Sequence, residues 1–159
     1  MDKKTVISII IFYAMVIALT YILRFFRTKS SKRKGGEILK LYSNENLKSI
    51  EVKISETRSY RFSNHGGTLG FLNSTMHYSE DILIFTQSGN SNFEKLNFTL
   101  PLVIQPKTIK SIFIKSDEYI LYLGNPITEK KIQVYTESAK DNDLLKIIFS
   151  DFKENILKA

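Results

Sequence analysis

His65 and His77 are the only histidines of the chain, and no cysteine accompanies them. Metal or acid–base chemistry would have to be assembled from these two rings and nearby carboxylates. One grouping has suitable types: His77, Glu80 and Asp81 in the stretch HYSED. A turn between two strands explains that spacing as well as a ligand set does, so no metal is expected. The stretch HGGTLG, residues 65–70, has the glycines of a phosphate-cradling loop. A P-loop needs Gly-Lys-Ser/Thr running into a helix, whereas Phe71 and Leu72 continue here into strand-like sequence, which predicts a hairpin or bulge. No G-x-S-x-G elbow occurs. Without cysteine there is no disulfide, thiolate metal site, catalytic thiol or thiol-linked lipid. The expectation is a non-enzymatic chain with no cofactor.

The strongest chemical signal is charge. RFFRTKSSKRKGG, residues 24–36, holds Arg24, Arg27, Lys29, Lys32, Arg33 and Lys34 with no acidic residue. Residues 1–36 have eight Lys/Arg against Asp2 and so carry the entire formal charge of +7; residues 37–159 hold fifteen of each sign. A basic excess confined to one flank argues against a nucleic-acid partner. It suits anionic lipid headgroups, where each Lys or Arg near the surface is worth about 1 kcal/mol. These six residues are the candidate membrane-surface contacts.

The element that would place them there precedes them. TVISIIIFYAMVIALTYIL, residues 5–23, has no charge and is extended by Phe25 and Phe26. At about 1.5 Å per residue it spans roughly 29 Å, the thickness of a bilayer's hydrocarbon. A cleaved signal peptide would have a shorter apolar core and a small-residue cleavage site, and a buried helix would show a polar stripe. An uncleaved single-pass anchor is expected. Ala14 and Ala18 form a small-xxx-small pair of the kind that admits a second helix, though such pairs are common in apolar helices. The heavier basic flank stays on the cytoplasmic side, which puts the N-terminus outside and the rest in the cytosol at the cell membrane. Residues 1–4 are then a short tail, 5–26 the transmembrane helix and 27–36 a basic juxtamembrane linker. Gly35-Gly36 reads as its flexible joint, and residues 37–159 as one domain.

Beyond residue 37 the apolar period changes to two. SIEVKIS, SYRFS, STMHYSEDILIFTQSG (broken near residues 79–81), FEKLNFTL, TIKSIFIKS, YILYLG and KKIQVYTE predict six to eight short antiparallel strands. SGNSN is a loop. Leu145, Ile148, Phe149, Phe152 and Ile156 then follow helical spacing, predicting an amphipathic helix over about 141–157, capped by Ser138 or Asp141. Its apolar face must cover something, and the open end of the sheet is the natural candidate.

FTLPLVIQPKTIKSIFIKSDEYILYLG, then KKIQVYTES, then that helix resemble the late strands and capping helix of the pleckstrin-homology superfold, in its bacterial PH-like or GRAM-like forms. The resemblance implies an antiparallel PH-like sandwich or barrel capped by a C-terminal helix, and a binding or scaffolding role. The family's lipid-binding members use basic residues alternating on the first hairpin. The nearest equivalents are Lys53, Arg58 and Arg61, and the last two, three residues apart, face opposite sides of a strand, so no headgroup pocket is expected. By analogy with phosphotyrosine-binding domains, a peptide would lie between residues 131–135 and the helix near Phe149. The triplets Asn73-Ser74-Thr75 and Asn97-Phe98-Thr99 would matter only in a secretory lumen. The competing reading is an exported, membrane-tethered β-domain, such as a secretion- or pilus-type subunit or a lipocalin-like barrel. The basic flank and the lack of a pilin-type leader oppose it.

Overall fold

The structure, a computed structural model, describes residues 2–60, 69–88, 100–115, 118–125 and 128–158. Their order is α1 (Lys3–Leu41), β1 (Lys48–Tyr60), β2 (Leu69–Tyr78), β3 (Leu83–Gln87), β4 (Leu102–Ile104), a 3-10 turn (Pro106–Thr108), β5 (Ile109–Lys115), β6 (Glu118–Asn125), β7 (Thr128–Tyr135) and α2 (Ala139–Lys158). All of the predicted strand FEKLNFTL but Leu100, all of the loop SGNSN but Ser88, His65, most of HGGTLG and the triplet at Asn97 lie outside the described residues.

The strands form one antiparallel sheet in the order β4-β3-β2-β1-β7-β6-β5. Two meanders are joined through β1, whose first part pairs with β2 and whose second part pairs with β7. The crossing point is a bulge between Ile54 and Glu56, where Ile54 faces Leu72 on one side and Val134 on the other. An extra residue there sharpens the twist and lets the sheet curl on itself. SIEVKIS and the first two residues of SYRFS, which read as two strands, belong to one strand of thirteen residues; the rest of SYRFS lies outside the described residues. The curled half-barrel with its C-terminal helix is the architecture that the pleckstrin-homology resemblance implies.

Alternation decides what faces inward. Ile50, Val52 and Ile54 of β1, Leu72 and Met76 of β2, Leu83 and Phe85 of β3, Tyr119 and Leu121 of β6, and Ile132 and Val134 of β7 line the concave side. Leu145, Ile148, Phe149 and Phe152 of α2 close it. The Tyr119 ring stacks on Phe149 with centroids 4.9 Å apart. Its hydroxyl donates to the Asn142 carbonyl and to Asn142 Oδ1, each at 2.9 Å, so the buried phenol has a satisfied polar end. Ser138 caps α2, its Oγ accepting from the Asp141 backbone N–H at 3.4 Å.

Candidate membrane anchor and its stalk

α1 is one helix in two environments. Over its first part no described residue of the domain covers it: Ile10 is 62% exposed, Phe12 61% and Phe25 65%. It is the one helix among the described residues long and apolar enough to cross a membrane, and none of its most apolar stretch is buried. Thr20 fits such a setting, since its hydroxyl donates back to the Val16 and Ile17 carbonyls at 2.5 and 3.0 Å.

The helix does not end where the apolar run ends. It continues through residues 27–36 to Leu41, so the expected flexible joint at Gly35-Gly36 is instead helix interior. The reason is tertiary. Thr28, Ser31, Gly35 and Ile38 recur at intervals of three and four and make one face, on which Gly35 is buried and the others are half-buried. Ser31 Oγ donates to the Leu100 carbonyl at 3.0 Å. Gly35 passes so close to β3 that a Cβ added there would meet Thr86 Cγ2 at 3.3 Å. Ile84 and Thr86 alternate with the core residues Leu83 and Phe85 and so point to the outer side of the sheet. They are nevertheless 0% and 9% exposed, because this part of α1 packs on β3. Glycine costs a helix about 1 kcal/mol against alanine, and full burial of an Ile side chain returns about 1.5–3 kcal/mol, so docking outweighs propensity.

Beneath the helix lies a short polar relay. Thr86 Oγ1 is hydrogen-bonded to His77 Nε2 at 3.0 Å and donates to the Thr75 carbonyl at 3.4 Å. Ser74 Oγ donates to the Thr86 carbonyl at 2.7 Å. Burial holds the His77 imidazole below its ordinary pKa, with Glu51 pulling the other way. Glu51 itself accepts from Thr75 Oγ1 at 2.7 Å.

The predicted surface residues occupy this stalk. Lys29, Lys32, Arg33 and Lys34 are exposed. Arg33 makes an exposed pair with Glu37, one turn on, at 3.6 Å, a geometry worth about 0.3–0.5 kcal/mol. Arg24 and Arg27 lie on the same helix. What sequence reasoning missed is the docking face: Ser31, Gly35, Thr86 and His77. The small residues at positions 28, 31 and 35, interleaved with bases, were the available signal on the helix side.

Other candidates separate in space. His77 turns to Thr86, whereas Glu80 and Asp81 sit in the β2–β3 turn beside a groove of about 550 Å³ between residues 44–48, that turn and α2. Asn155 Nδ2 crosses the groove's edge to donate to the Glu80 carbonyl at 3.1 Å. Lys53 is committed to Glu137 and lies over the Tyr135 ring, 5.7 Å from its centroid. The hydrogen bond to Glu137 is the main cause raising its pKa. Arg58 is on β1 opposite Lys130, and Arg61 is outside the described residues. The peptide edge expected at residues 131–135 is not an edge: β7 is hydrogen-bonded to β1 on one side and β6 on the other. The ends of the sheet are β4 and β5.

No family model matches the chain, and no curated protein matches it. Among solved structures it is similar to the N-terminal PH domain of human ARAP2, at 10% identity and a TM-score of 0.37, over 71% of this chain and 84% of that one. It is also similar to a structure of the Vav1 exchange factor with its PH and C1 domains, at 14% identity and a TM-score of 0.36. That match covers 87% of this chain but only 37% of the Vav1 chain. At these identities and scores the matches say nothing about ligand or activity.

Proposed function

We propose that the chain is a single-pass membrane-anchored, non-enzymatic binding or scaffolding module whose PH-like domain is held at the cytoplasmic face of the cell membrane. The observation that carries this reading is the continuity of α1: an uncovered apolar half leads without a break into a half that docks on β3. The basic residues follow the apolar run directly, and the side that retains them is the cytoplasmic one.

Headgroup contact falls off along the stalk. On a helix normal to the bilayer, Arg24 and Arg27 leave the apolar run within its first turns, and Lys29 lies roughly 9 Å beyond Leu23. Lys32, Arg33 and Lys34 stand roughly 9–12 Å beyond Phe26, and the headgroup layer takes up about 5–7 Å of that, so they too lie within a Debye length of about 8–10 Å of the headgroups. All six residues therefore contribute to the lipid attraction, the nearest most. No nucleic-acid partner, metal or cofactor belongs to this reading.

Two reporters fused after Ala159 test it in cells. One that fluoresces only in the cytosol should be bright, and one that is active only after export should be silent, with the protein remaining in the membrane pellet after carbonate extraction. The opposite reporter pattern would replace this reading with the exported β-domain, and release by carbonate would remove the anchor.

A further inference from the structure

We propose that the groove between residues 44–48, the β2–β3 turn and α2 is a docking site for an arginine-bearing segment of a separate polypeptide. This names a partner for the binding module described above and rests on that reading.

The walls of the groove are acidic and come from three places in the chain. Glu45 stands on the loop after α1, Glu80 and Asp81 on the turn, and Asp151 on α2, with Lys48 as the one cation among the lining residues. All four carboxylates are exposed, and none of their side chains has an ion pair or hydrogen bond among the described residues. Residues 37–159 are neutral as a whole, so this excess of negative charge is a local segregation. The floor differs: Tyr78, Ile148 and Phe152 line it. Ile148, Asp151, Phe152 and Asn155 recur at helical spacing, so one stripe of α2 supplies both floor and wall.

Arginine has the same division. Its hydrocarbon stem packs on apolar surface, and its planar tip carries five donors in a fork that matches carboxylates, a fork that lysine lacks. The turn also holds an acceptor without a partner: Ser79 Oγ is buried and makes no hydrogen bond among the described residues. Buried polar groups in folded proteins are nearly always bonded, and a guanidinium N–H seated against the turn supplies the missing donor. The groove is already built, because Asn155 ties α2 to the Glu80 carbonyl at 3.1 Å. Its volume of about 550 Å³ is that of a specific binding site, about 300–1,000 Å³.

Position decides between occupants. From Phe26 to Leu41 the helix rises roughly 22 Å, and the groove opens beyond that end. A second copy in the same bilayer carries its basic cluster on the stalk, nearer the membrane, so the occupant is another chain.

Fluorescence anisotropy with the full chain in an uncharged detergent tests this. The probe is a short labelled peptide of arginines separated by glycine, compared with its lysine and citrulline counterparts. Saturable binding of the arginine peptide is expected, weaker with lysine, absent with citrulline, and falling as salt rises. Each exposed ion pair is worth a factor of about 1.5–5, so Asp81→Asn with Asp151→Asn should weaken binding about 2–25-fold. Asp143→Asn with Glu154→Gln removes as much charge from exposed positions of α2 outside the groove and should leave binding unchanged. No binding, equal loss in the two variant pairs, or equal binding of the citrulline peptide would each overturn the proposal. Self-association of the chain that is lost in Asp81→Asn with Asp151→Asn would seat a second copy in the groove and overturn it too. None of these results alters the reporter pattern after Ala159, so a failed groove and a failed anchor are told apart.

Discussion

Replacing Gly35 and Gly36 one at a time by leucine isolates the docking of the stalk. Both substitutions place a good helix former in the same helix, a gain of about 1 kcal/mol apiece. At Gly36 nothing lies within 4 Å, so the gain stands. At Gly35 the first added atom already meets Thr86 Cγ2 at 3.3 Å, and the rest of a leucine has to enter a space that β3 occupies. Overpacking of this kind costs about 1–3 kcal/mol. If the helix lifts instead, the burial of Ile84 is lost, at about 1.5–3 kcal/mol. Gly35→Leu should thus be neutral to about 2 kcal/mol less stable than the parent, and Gly36→Leu about 1 kcal/mol more stable. Thermal unfolding of the full chain in detergent, followed by the strand circular dichroism, converts each kcal/mol into a shift of about 2–4 °C. The pair should move in opposite directions. A milder pair checks the contact atom: Thr86→Ser removes Cγ2 but keeps the hydroxyl, and it should restore Gly35→Ala to the behaviour of Gly36→Ala. Equal shifts for the two leucine variants would refute a docked stalk and return residues 27–36 to a free linker.

Phe149 is fully buried and stacked on Tyr119, so Phe149→Ala should cost about 3–5 kcal/mol, read as a lower urea midpoint; a parent-like midpoint would mean that α2 is not part of the core. Neutralising Lys29, Lys32, Arg33 and Lys34 together leaves Lys3 and Lys4 facing Arg24 and Arg27 across the apolar run, so the terminal reporters should give mixed or inverted signals, while fixed orientation would count against the basic flank as its determinant.

Much of this structure was legible because it rests on local pattern. The apolar run of α1, the alternation of Ile50, Val52 and Ile54, and the helical spacing from Leu145 to Ile156 each record one buried or membrane-suited face. Features set by distant partners were not legible. Gly35 and Gly36 read as a hinge because helix propensity is counted along the chain, whereas the docking of Gly35 on Thr86 involves a residue about fifty positions away in sequence. The bulge puts its extra residue on β2, where residues 69–72 face Ile54–Glu56, so nothing in the alternation of β1 itself announces it. β4 has three residues between Pro101 and Pro106, too few for periodicity to register. The analogy that puts a peptide beside residues 131–135 leaves out the partner of β7, since β1 comes from the start of the domain and no local pattern announces the pairing.

That last pairing bears on how the protein is made. Ile54 needs Val134, eighty residues later, before the second half of β1 has its partner. At about 5–20 residues per second, the ribosome takes roughly 4–16 s to bring that residue out. The β1–β2 hairpin can close early, but the curl of the sheet and the seat for α2 cannot form until nearly the whole chain has been synthesised. During this interval the apolar start of α1 has already left the ribosome, and the inward side of β1, with Ile50, Val52 and Ile54, stands open. Folding of the sheet is therefore gated by the arrival of β7 and α2, which exposes the nascent chain to misassembly for longer than a domain built from local contacts would be.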